Sequence, residues 1–279
     1  MQIGIRLHDT KKLPLEERLK NVKEQGFTCG HLALSKVIDE YPVGVSAMTP
    51  GFALYLKNLF AKNHLDVAVL GCYLNLANPK EDKLREITEK YKAHIRFASL
   101  LGCGVVGTET GNPNETYTYE EERSHTEEAL GIFIKNLAPI VEYAEKMGVI
   151  LAIEPVFTHI VCDPKRARKV LDTIQSPNLQ IILDPVNLLH ISNYHNQKEI
   201  VREAIDLLGK DVAVIHIKDY VVEQGKLISV AAGTGNMDYS DLMQFIKKEK
   251  PYIHATLENT VPENAVWAKE HIQKLWEEA

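Results

Sequence analysis

Short apolar segments alternate with longer amphipathic, charged segments along the whole chain, and this alternation constrains the fold more than any other feature. Strands are predicted at 3–8, 29–34, 66–75, 104–110, 149–154, 179–184, 212–219 and 253–258. Helices are predicted between and after them, at 14–26, 49–64, 81–101, 119–147, 164–175, 197–208, 239–249 and 263–277. Strands that are apolar throughout are typical of a parallel sheet buried on both faces.

Eight alternating units predict a particular parallel α/β fold, the (β/α)8 TIM barrel, which typically takes about 250 residues. The chain has 279 residues and no evident linker, so a single domain is expected over 1–279. A doubly wound sheet is the alternative. That fold commonly carries a glycine-rich phosphate loop after its first strand, and the segment IRLHDTKKLP is not such a loop.

The charge balance and the cysteines limit the partners and the compartment. A net charge of -6 argues against nucleic acid as the main partner. The four cysteines are far apart, without a C-x-x-C pair, which argues against a structural zinc site and favours a reducing cytoplasm. No apolar run is long enough to span a membrane, and the N-terminal segment does not resemble a signal peptide. Whether the chain forms a homo-oligomer is left open.

Polar side chains terminate the predicted strands. In a TIM barrel, the carboxyl ends of the strands form the active site. Glu154, Asp184, His216 and Glu258 end the fifth to eighth strands, which are neighbours in such a barrel. Three carboxylates and an imidazole form a mixed oxygen and nitrogen ligand set, which suits Mn²⁺, Mg²⁺ or Co²⁺, with Zn²⁺ as a further candidate. The sequence therefore predicts one divalent metal ion, with Mn²⁺ as the first choice.

Each of these residues also has a simpler interpretation. Asp184 and Glu258 could cap the helices that follow them, and a single buried histidine is more often a hydrogen-bonded core residue than a ligand. The joint pattern on four adjacent strands is hard to explain by independent caps. It therefore favours the metal site.

Other polar residues are candidates for substrate binding. Glu109 lies between two glycines in GTETGN, and its alternative role is to stabilise the loop. Lys218 shares the strand parity of His216 and is expected to point into the rim, either toward a substrate oxygen or into a salt bridge with Glu154 or Asp184. Asp219 is expected to point away. Three histidines are also candidates for the pocket lining: His8, His31 and His159.

Four strand-end motifs together resemble the sugar phosphate isomerase/epimerase superfamily, whose members are xylose isomerase-like TIM barrels. The motifs are AIEPV with Glu154, LDPVNLL with Asp184, HIKD with His216 and LEN with Glu258. In the ketose 3-epimerases of this family, the matching residues bind one Mn²⁺ or Mg²⁺ ion. The resemblance also implies that Glu154 and Glu258 transfer protons on opposite faces of a sugar.

Two positions depart from the epimerase pattern. Asn187 stands where those enzymes have a histidine, and Val222 stands where they have an arginine. The substrate contacts, including that of Asn187, are therefore expected to differ, which argues against a free ketohexose as the substrate. No cluster of arginines suggests a phosphate site, so an unphosphorylated sugar is favoured.

The predicted function is metal-dependent isomerisation or epimerisation of a ketose or oxo-sugar through a metal-stabilised enediolate. Three alternatives remain open at this point. They are a lyase that acts on a 3-oxo-glycoside, a metal-dependent phosphodiesterase and a non-catalytic sugar-binding barrel. A three-zinc phosphodiesterase would need additional histidine ligands, and intact candidates at all four strand ends argue against a non-catalytic barrel.

Overall fold

Eight parallel strands form a closed barrel in a computed structural model that describes residues 1–279. The chain has ten strands, which are β1 Gln2–Arg6, β2 Cys29–Leu32, β3 Asp66–Gly71, β4 Val105–Glu109, β5 Ile150–Glu154, β6 Leu179–Leu183, β7 Val212–Ile217, β8 Asp219–Glu223, β9 Lys226–Val230 and β10 His254–Leu257. All except β8 and β9 belong to the barrel, in the order β1-β10-β7-β6-β5-β4-β3-β2, and β10 pairs with β1. The predicted TIM barrel is confirmed.

Helices surround the barrel, and seven of the eight predicted helices lie within two residues of their predicted bounds, whereas a short helix after β2 was not predicted. The helices are α1 Leu15–Glu24, α2 Leu34–Val37, α3 Pro50–Lys62, α4 Glu81–Leu101, α5 Glu121–Ser124, α6 Glu127–Met147, α7 Pro164–Ile174, α8 Gln197–Leu208, α9 Ser240–Glu249 and α10 Ala265–Glu278. None of the helices is both long and apolar enough to cross a lipid bilayer.

The predicted helix over 119–147 is wrong as a single element. The chain forms the short α5, leaves helical geometry at His125 and Thr126, and starts again as α6. The cause is local, because the Thr126 hydroxyl accepts a hydrogen bond from the backbone N–H of Ala129 and so caps a new helix.

An antiparallel hairpin of β8 and β9 interrupts the predicted strict alternation. The strand expected over 212–219 stops at Ile217, and Asp219 begins the hairpin. Its turn lies at Gln224 and Gly225, whose φ angles of 48° and 72° are typical of a tight two-residue hairpin turn. The hairpin stands beside the carboxyl ends of the barrel strands.

The hydrophobic core has two parts that follow from the alternating strand faces. A small cluster fills the barrel interior and includes Cys29, Val69, Ala152, Ile182 and Val214. A much larger cluster packs the outer strand faces against the helices. With both faces buried, the exposed edge at the carboxyl ends is where the polar side chains collect.

Candidate active site

The predicted metal ligands are buried together at the carboxyl end of the barrel. Glu154 ends β5, Asp184 directly follows β6, His216 is the second-to-last residue of β7 and Glu258 directly follows β10. These four strands are adjacent in the barrel. The four residues expose 5% of their surface or less, so their charges must be paired with other groups.

His216 lies between the two glutamates. Its Nδ1 atom is 3.3 Å from Oε1 of Glu154 and 3.2 Å from Oε1 of Glu258. Burial alone would lower the pKa of His216, but the charges of Glu154 and Glu258 raise it to about 9. The two carboxylates therefore favour a cation at Nδ1, either a proton or a metal ion that replaces it.

Lys218 joins Asp184 to the same cluster. Its Nζ atom lies 2.9 Å from Oδ2 of Asp184 and 3.4 Å from Oε2 of Glu258. Burial would lower the pKa of Lys218, but these carboxylates raise it, so the ammonium group is charged. Oδ1 of Asp184 accepts the backbone N–H groups of Val186 and Asn187, at 2.9 Å and 3.2 Å, which fixes the carboxylate.

Glu258 is surrounded by cations. Besides His216 and Lys218, Nη1 of Arg6 lies 3.1 Å from its Oε2 atom. Burial would raise the pKa of Glu258, but His216, Lys218 and Arg6 hold it well below its usual range. Arg6 is itself held by Asp9, whose Oδ2 atom accepts a hydrogen bond from Nε at 2.8 Å.

Glu154 has a different environment. Its Oε1 atom accepts a hydrogen bond from Nδ2 of Asn187 at 2.7 Å and contacts no lysine or arginine. The Asn187 carbonyl in turn accepts the backbone N–H of Phe157 at 2.7 Å. Asn187, at a position where the sequence departs from the epimerase pattern, therefore orients Glu154.

Parts of the donor set are compact enough to hold a divalent ion, although no single group brings all four predicted ligands within reach of one another. When two ligand atoms each lie about 2.1 Å from one ion at adjacent positions, the two atoms are about 3 Å apart. The distances from Nδ1 of His216 to the two glutamates, 3.2 Å and 3.3 Å, are close to this value. Two ligand triads are close enough to hold an ion, and both include His216. One adds Glu154 and Asp184, and the other adds His31 and Glu258.

A polar cavity of 160 Å³ opens onto this cluster. Glu154, Glu258, Asn187 and Lys218 line it, whereas Asp184 and His216 contact these residues without lining it themselves. Its volume is below the ~300–1,000 Å³ of pockets for drug-sized ligands, so the cavity suits a small polar molecule.

Three further lining residues were not proposed as site residues from the sequence: Arg6, Lys36 and Tyr73. Arg6 shares the strand parity of His8, and this alternation could have identified it. Tyr73 follows the last residues of β3, and its hydroxyl group has no hydrogen-bond partner. No strand-end motif singles it out.

Tyr73 stacks on His31, whose ring centroid lies 5.6 Å away, and His31 stacks on His216 at 5.2 Å. Neither ring nitrogen of His31 has a hydrogen-bond partner, although only 1% of its surface is exposed. The sequence placed His31 at the pocket but did not propose it as a ligand.

Glu109, His8 and His159 lie around the cavity in different ways. Glu109 and His8 line it. The Glu109 carboxylate accepts a hydrogen bond from the Tyr117 hydroxyl at 3.2 Å, and Nε2 of His159 lies 3.9 Å from the same oxygen. His159 is buried behind Glu109, and burial lowers its pKa to about 4.

Asp219 has a structural role. Its Oδ1 atom accepts the backbone N–H groups of Tyr220 and Met237, both at 2.8 Å, and its Oδ2 atom accepts that of Gly233 at 3.1 Å. It thereby holds the glycine-rich segment 233–237 against the hairpin. Asp219 was expected to point away from the rim if the strand continued, but β7 ends at Ile217, and these hydrogen bonds determine the orientation of Asp219 instead.

Comparisons with known proteins cover almost the whole chain. A family model described as "Xylose isomerase-like TIM barrel" matches residues 19–276. No curated protein sequence matches the chain. One similar solved structure is a D-tagatose 3-epimerase-like protein, with 21% identity, a TM-score of 0.76 and coverage of 99% of this chain and 97% of that one.

Two other solved structures are similar over their full lengths. One is the IOLI protein with a bound zinc atom, with 18% identity, a TM-score of 0.79 and coverage of 100% of this chain and 99% of that one. The other is the 3-keto-D-glucoside 4-epimerase from E. coli, with 13% identity, a TM-score of 0.75 and coverage of 98% and 99%. At these identities, the likeness shows a shared fold.

Proposed function

The chain belongs to the xylose isomerase-like TIM barrel family, and from this premise we propose that it is a metal-dependent sugar isomerase or epimerase. The observation that carries the proposal is the pair of buried glutamates, 3.3 Å and 3.2 Å from one imidazole, beside a small polar cavity. Such a pair can bind a cation and transfer protons at the same carbon centre.

The proposed ligands are Glu154, Asp184, His216 and Glu258, and the proposed ion is Mn²⁺, with Mg²⁺, Co²⁺ and Zn²⁺ as alternatives. The chemistry that such an ion supplies is polarisation of a substrate carbonyl, which acidifies the neighbouring C–H bond. The zinc atom of the IOLI protein supports a metal in this fold. It does not select the element for this chain.

We assign the first proton transfer to Glu154. This carboxylate takes the proton from the carbon next to the substrate carbonyl, and the electron pair of the C–H bond moves toward the carbonyl oxygen. Return of this proton to the former carbonyl carbon gives an isomer, while the hydroxyl proton on the first carbon moves to the former carbonyl oxygen. For epimerisation, Glu258 takes up a proton from solvent water and delivers it to the opposite face of the first carbon, which leaves the abstracted proton on Glu154.

The charges around the two glutamates support this division of roles. Glu258 contacts Arg6, Lys218 and His216, which hold it ionised, whereas Glu154 contacts only His216 and the Asn187 amide. In the resting site, Glu258 is therefore a carboxylate that binds these cationic groups, and it must gain a proton before it acts as an acid. Glu154 needs no such step.

The lining favours an unphosphorylated sugar. Arg6 is the arginine of the cavity wall, and its guanidinium is engaged by Asp9 and Glu258. It is therefore not free to bind a phosphate. Several structural neighbours act on unphosphorylated sugars according to their names, among them D-psicose 3-epimerase and L-ribulose 3-epimerase, which supports this class of substrate.

The test combines metal analysis with proton exchange. The purified protein is assayed for bound metals and then incubated in D₂O with free ketoses and with 3-oxo-glucosides, with the products followed by NMR. We expect deuterium at the carbon next to the carbonyl. Loss of a leaving group in place of simple exchange would identify the lyase alternative, because elimination starts from the same proton abstraction.

The variant Glu154→Gln is expected to reduce the exchange rate by about 10²–10⁴-fold, the usual contribution of a general base. Glu270→Gln is the matched control, because Glu270 is an exposed acid on α10, far from the cavity. If Glu154→Gln exchanges protons at the rate of this control, Glu154 is not the base.

A further inference from the structure

A second cleft, of 470 Å³, lies directly beside the catalytic cavity. Asn187 lines both, and its side chain also donates a hydrogen bond to Glu154. Phe157 and His190 form one part of the cleft lining, and the β8–β9 hairpin contributes another part through Leu227 and Ser229. The cleft therefore adjoins the proposed reaction site at Asn187.

The aromatic side of the cleft is rigidly held. The rings of Phe157 and His190 are stacked, with centroids 4.4 Å apart and an interplanar angle of 3°. His125 packs its ring edge-on against Phe157 at 5.6 Å, and its Nε2 atom lies 2.9 Å from the Phe157 carbonyl oxygen. The backbone N–H of Phe157 also bonds to Asn187, which ties this aromatic surface to the residue that orients Glu154.

The lining of the cleft is suited to an uncharged ring with both polar and apolar faces. Leu189, Ile191 and Leu227 are apolar, whereas Thr158 and Ser229 supply hydroxyl groups. The lining contains no carboxylate, and its one lysine, Lys226, lies exposed on the hairpin. A pyranose ring has apolar C–H faces and polar hydroxyl edges, so it can pack on the aromatic surface while it hydrogen-bonds to the rim.

The sizes of the two spaces complement each other. The catalytic cavity has 160 Å³, which suits one small polar ring, and the adjoining cleft offers 470 Å³ more. We propose that the cleft is a subsite for a second sugar ring, so that the substrate is an oxo-disaccharide with its oxidised ring in the catalytic cavity and its glycosidic bond beside Asn187. This inference rests on the proposed function.

The kinetic test compares Phe157→Ala with wild type on two substrates, the 3-oxo derivative of cellobiose and methyl 3-oxo-β-glucoside. We expect wild type to favour the disaccharide by at least about tenfold in kcat/KM, the equivalent of 1.4 kcal/mol. Phe157→Ala should lose this preference through a higher KM for the disaccharide, so that the ratio of its kcat/KM values on the two substrates falls to near one.

Val45→Ser is the matched control. Val45 is 41% exposed and lines a different, mostly apolar pocket between the segment after β2 and α4. This variant should keep the preference for the disaccharide. Loss of the preference in Val45→Ser but not in Phe157→Ala would assign the second ring to that other pocket and overturn the proposal.

A binding measurement separates this proposal from the proposed reaction. Saturation-transfer difference NMR with unoxidised cellobiose should show contacts to its reducing-end ring in wild type that disappear in Phe157→Ala. Equal contacts in both proteins would overturn the subsite even if catalysis is found. Contacts that depend on Phe157, together with no proton exchange on any substrate, would support the subsite and refute the proposed reaction. If 4-nitrophenyl glucoside but not cellobiose gives the contacts, the proposed occupant is wrong.

Discussion

Replacement of Lys218 by methionine tests how the buried charges of the site balance. Lys218 exposes 6% of its surface and pairs with Asp184 at 2.9 Å and Glu258 at 3.4 Å. Methionine has a similar length and no charge, so Lys218→Met leaves two buried carboxylates without this partner. Removal of one member of a buried ion pair typically costs about 3–5 kcal/mol.

The expected loss is measurable by thermal unfolding. For domains of about 150–250 residues, 1 kcal/mol lowers Tm by about 2–4 °C, so the variant should lose roughly 6–20 °C in the presence of EDTA. Lys248→Met is the matched control, because Lys248 is exposed on α9. This control should unfold near the wild-type temperature.

A divalent cation should restore part of the stability, because it supplies positive charge to the same carboxylates. Ligand binding stabilises the folded state by about 2.7 kcal/mol when the free ion is at 100 times its Kd. We therefore expect Mn²⁺ to raise the Tm of Lys218→Met by more than that of wild type. Equal Tm values for Lys218→Met and Lys248→Met in EDTA would show that Lys218 does not stabilise the buried carboxylates. Equal shifts in Tm on addition of Mn²⁺ to Lys218→Met and wild type would show that the ion does not bind to the carboxylates that Lys218 contacts.

Three further predictions follow from individual contacts. Asn187→Ala removes the hydrogen bond to Glu154. A hydrogen bond to a charged group is worth about 1.5–3 kcal/mol, so kcat/KM for proton exchange should fall by about 10–100-fold. An unchanged kcat/KM would show that Asn187 does not orient Glu154. Burial lowers the pKa of His159 from 6.5 to about 4. Between these pH values the unfolded chain therefore binds more protons than the folded chain, so the free energy of unfolding decreases as the pH falls. At 1.36 kcal/mol per pH unit, the decrease is at most about 3 kcal/mol. Urea unfolding of His159→Gln should show a shallower decrease over this pH range, and a decrease parallel to wild type would contradict the assignment. Asp219→Ala leaves three backbone N–H groups without their acceptor, so urea unfolding should show a loss of about 2–4 kcal/mol, and a loss below 1 kcal/mol would mean that water replaces the carboxylate.

Most of the barrel could be predicted from the sequence because its strands and helices are locally encoded. Strands such as 149–154 are apolar throughout, and helices such as α3 and α7 begin at Thr49 and Asp163, whose side chains accept backbone N–H groups as caps. The β8–β9 hairpin was missed. Its strands directly follow β7, so VAVIHIKD is predicted as one continuous strand although the chain turns away after Ile217.

The site residues that end a strand could be predicted from the sequence. Residues whose positions depend on tertiary packing were harder to predict. Glu154, Asp184, His216 and Glu258 lie together as the strand order requires. Their role as ligands remains a prediction. The stack of Tyr73 on His31 and of His31 on His216 depends on which side chains meet across the barrel. A single sequence does not encode such distant pairings by spacing alone.

Anomalous diffraction at the manganese edge, from crystals grown with Mn²⁺, tests the central claim most directly. The account predicts one ion per chain, within about 2.0–2.3 Å of oxygens of Glu154, Asp184 and Glu258 and of Nδ1 of His216. An ion bound by His31, His216 and Glu258 without Glu154 and Asp184 would contradict the proposed ligand set. The absence of an anomalous peak at this end of the barrel would contradict the metal site itself.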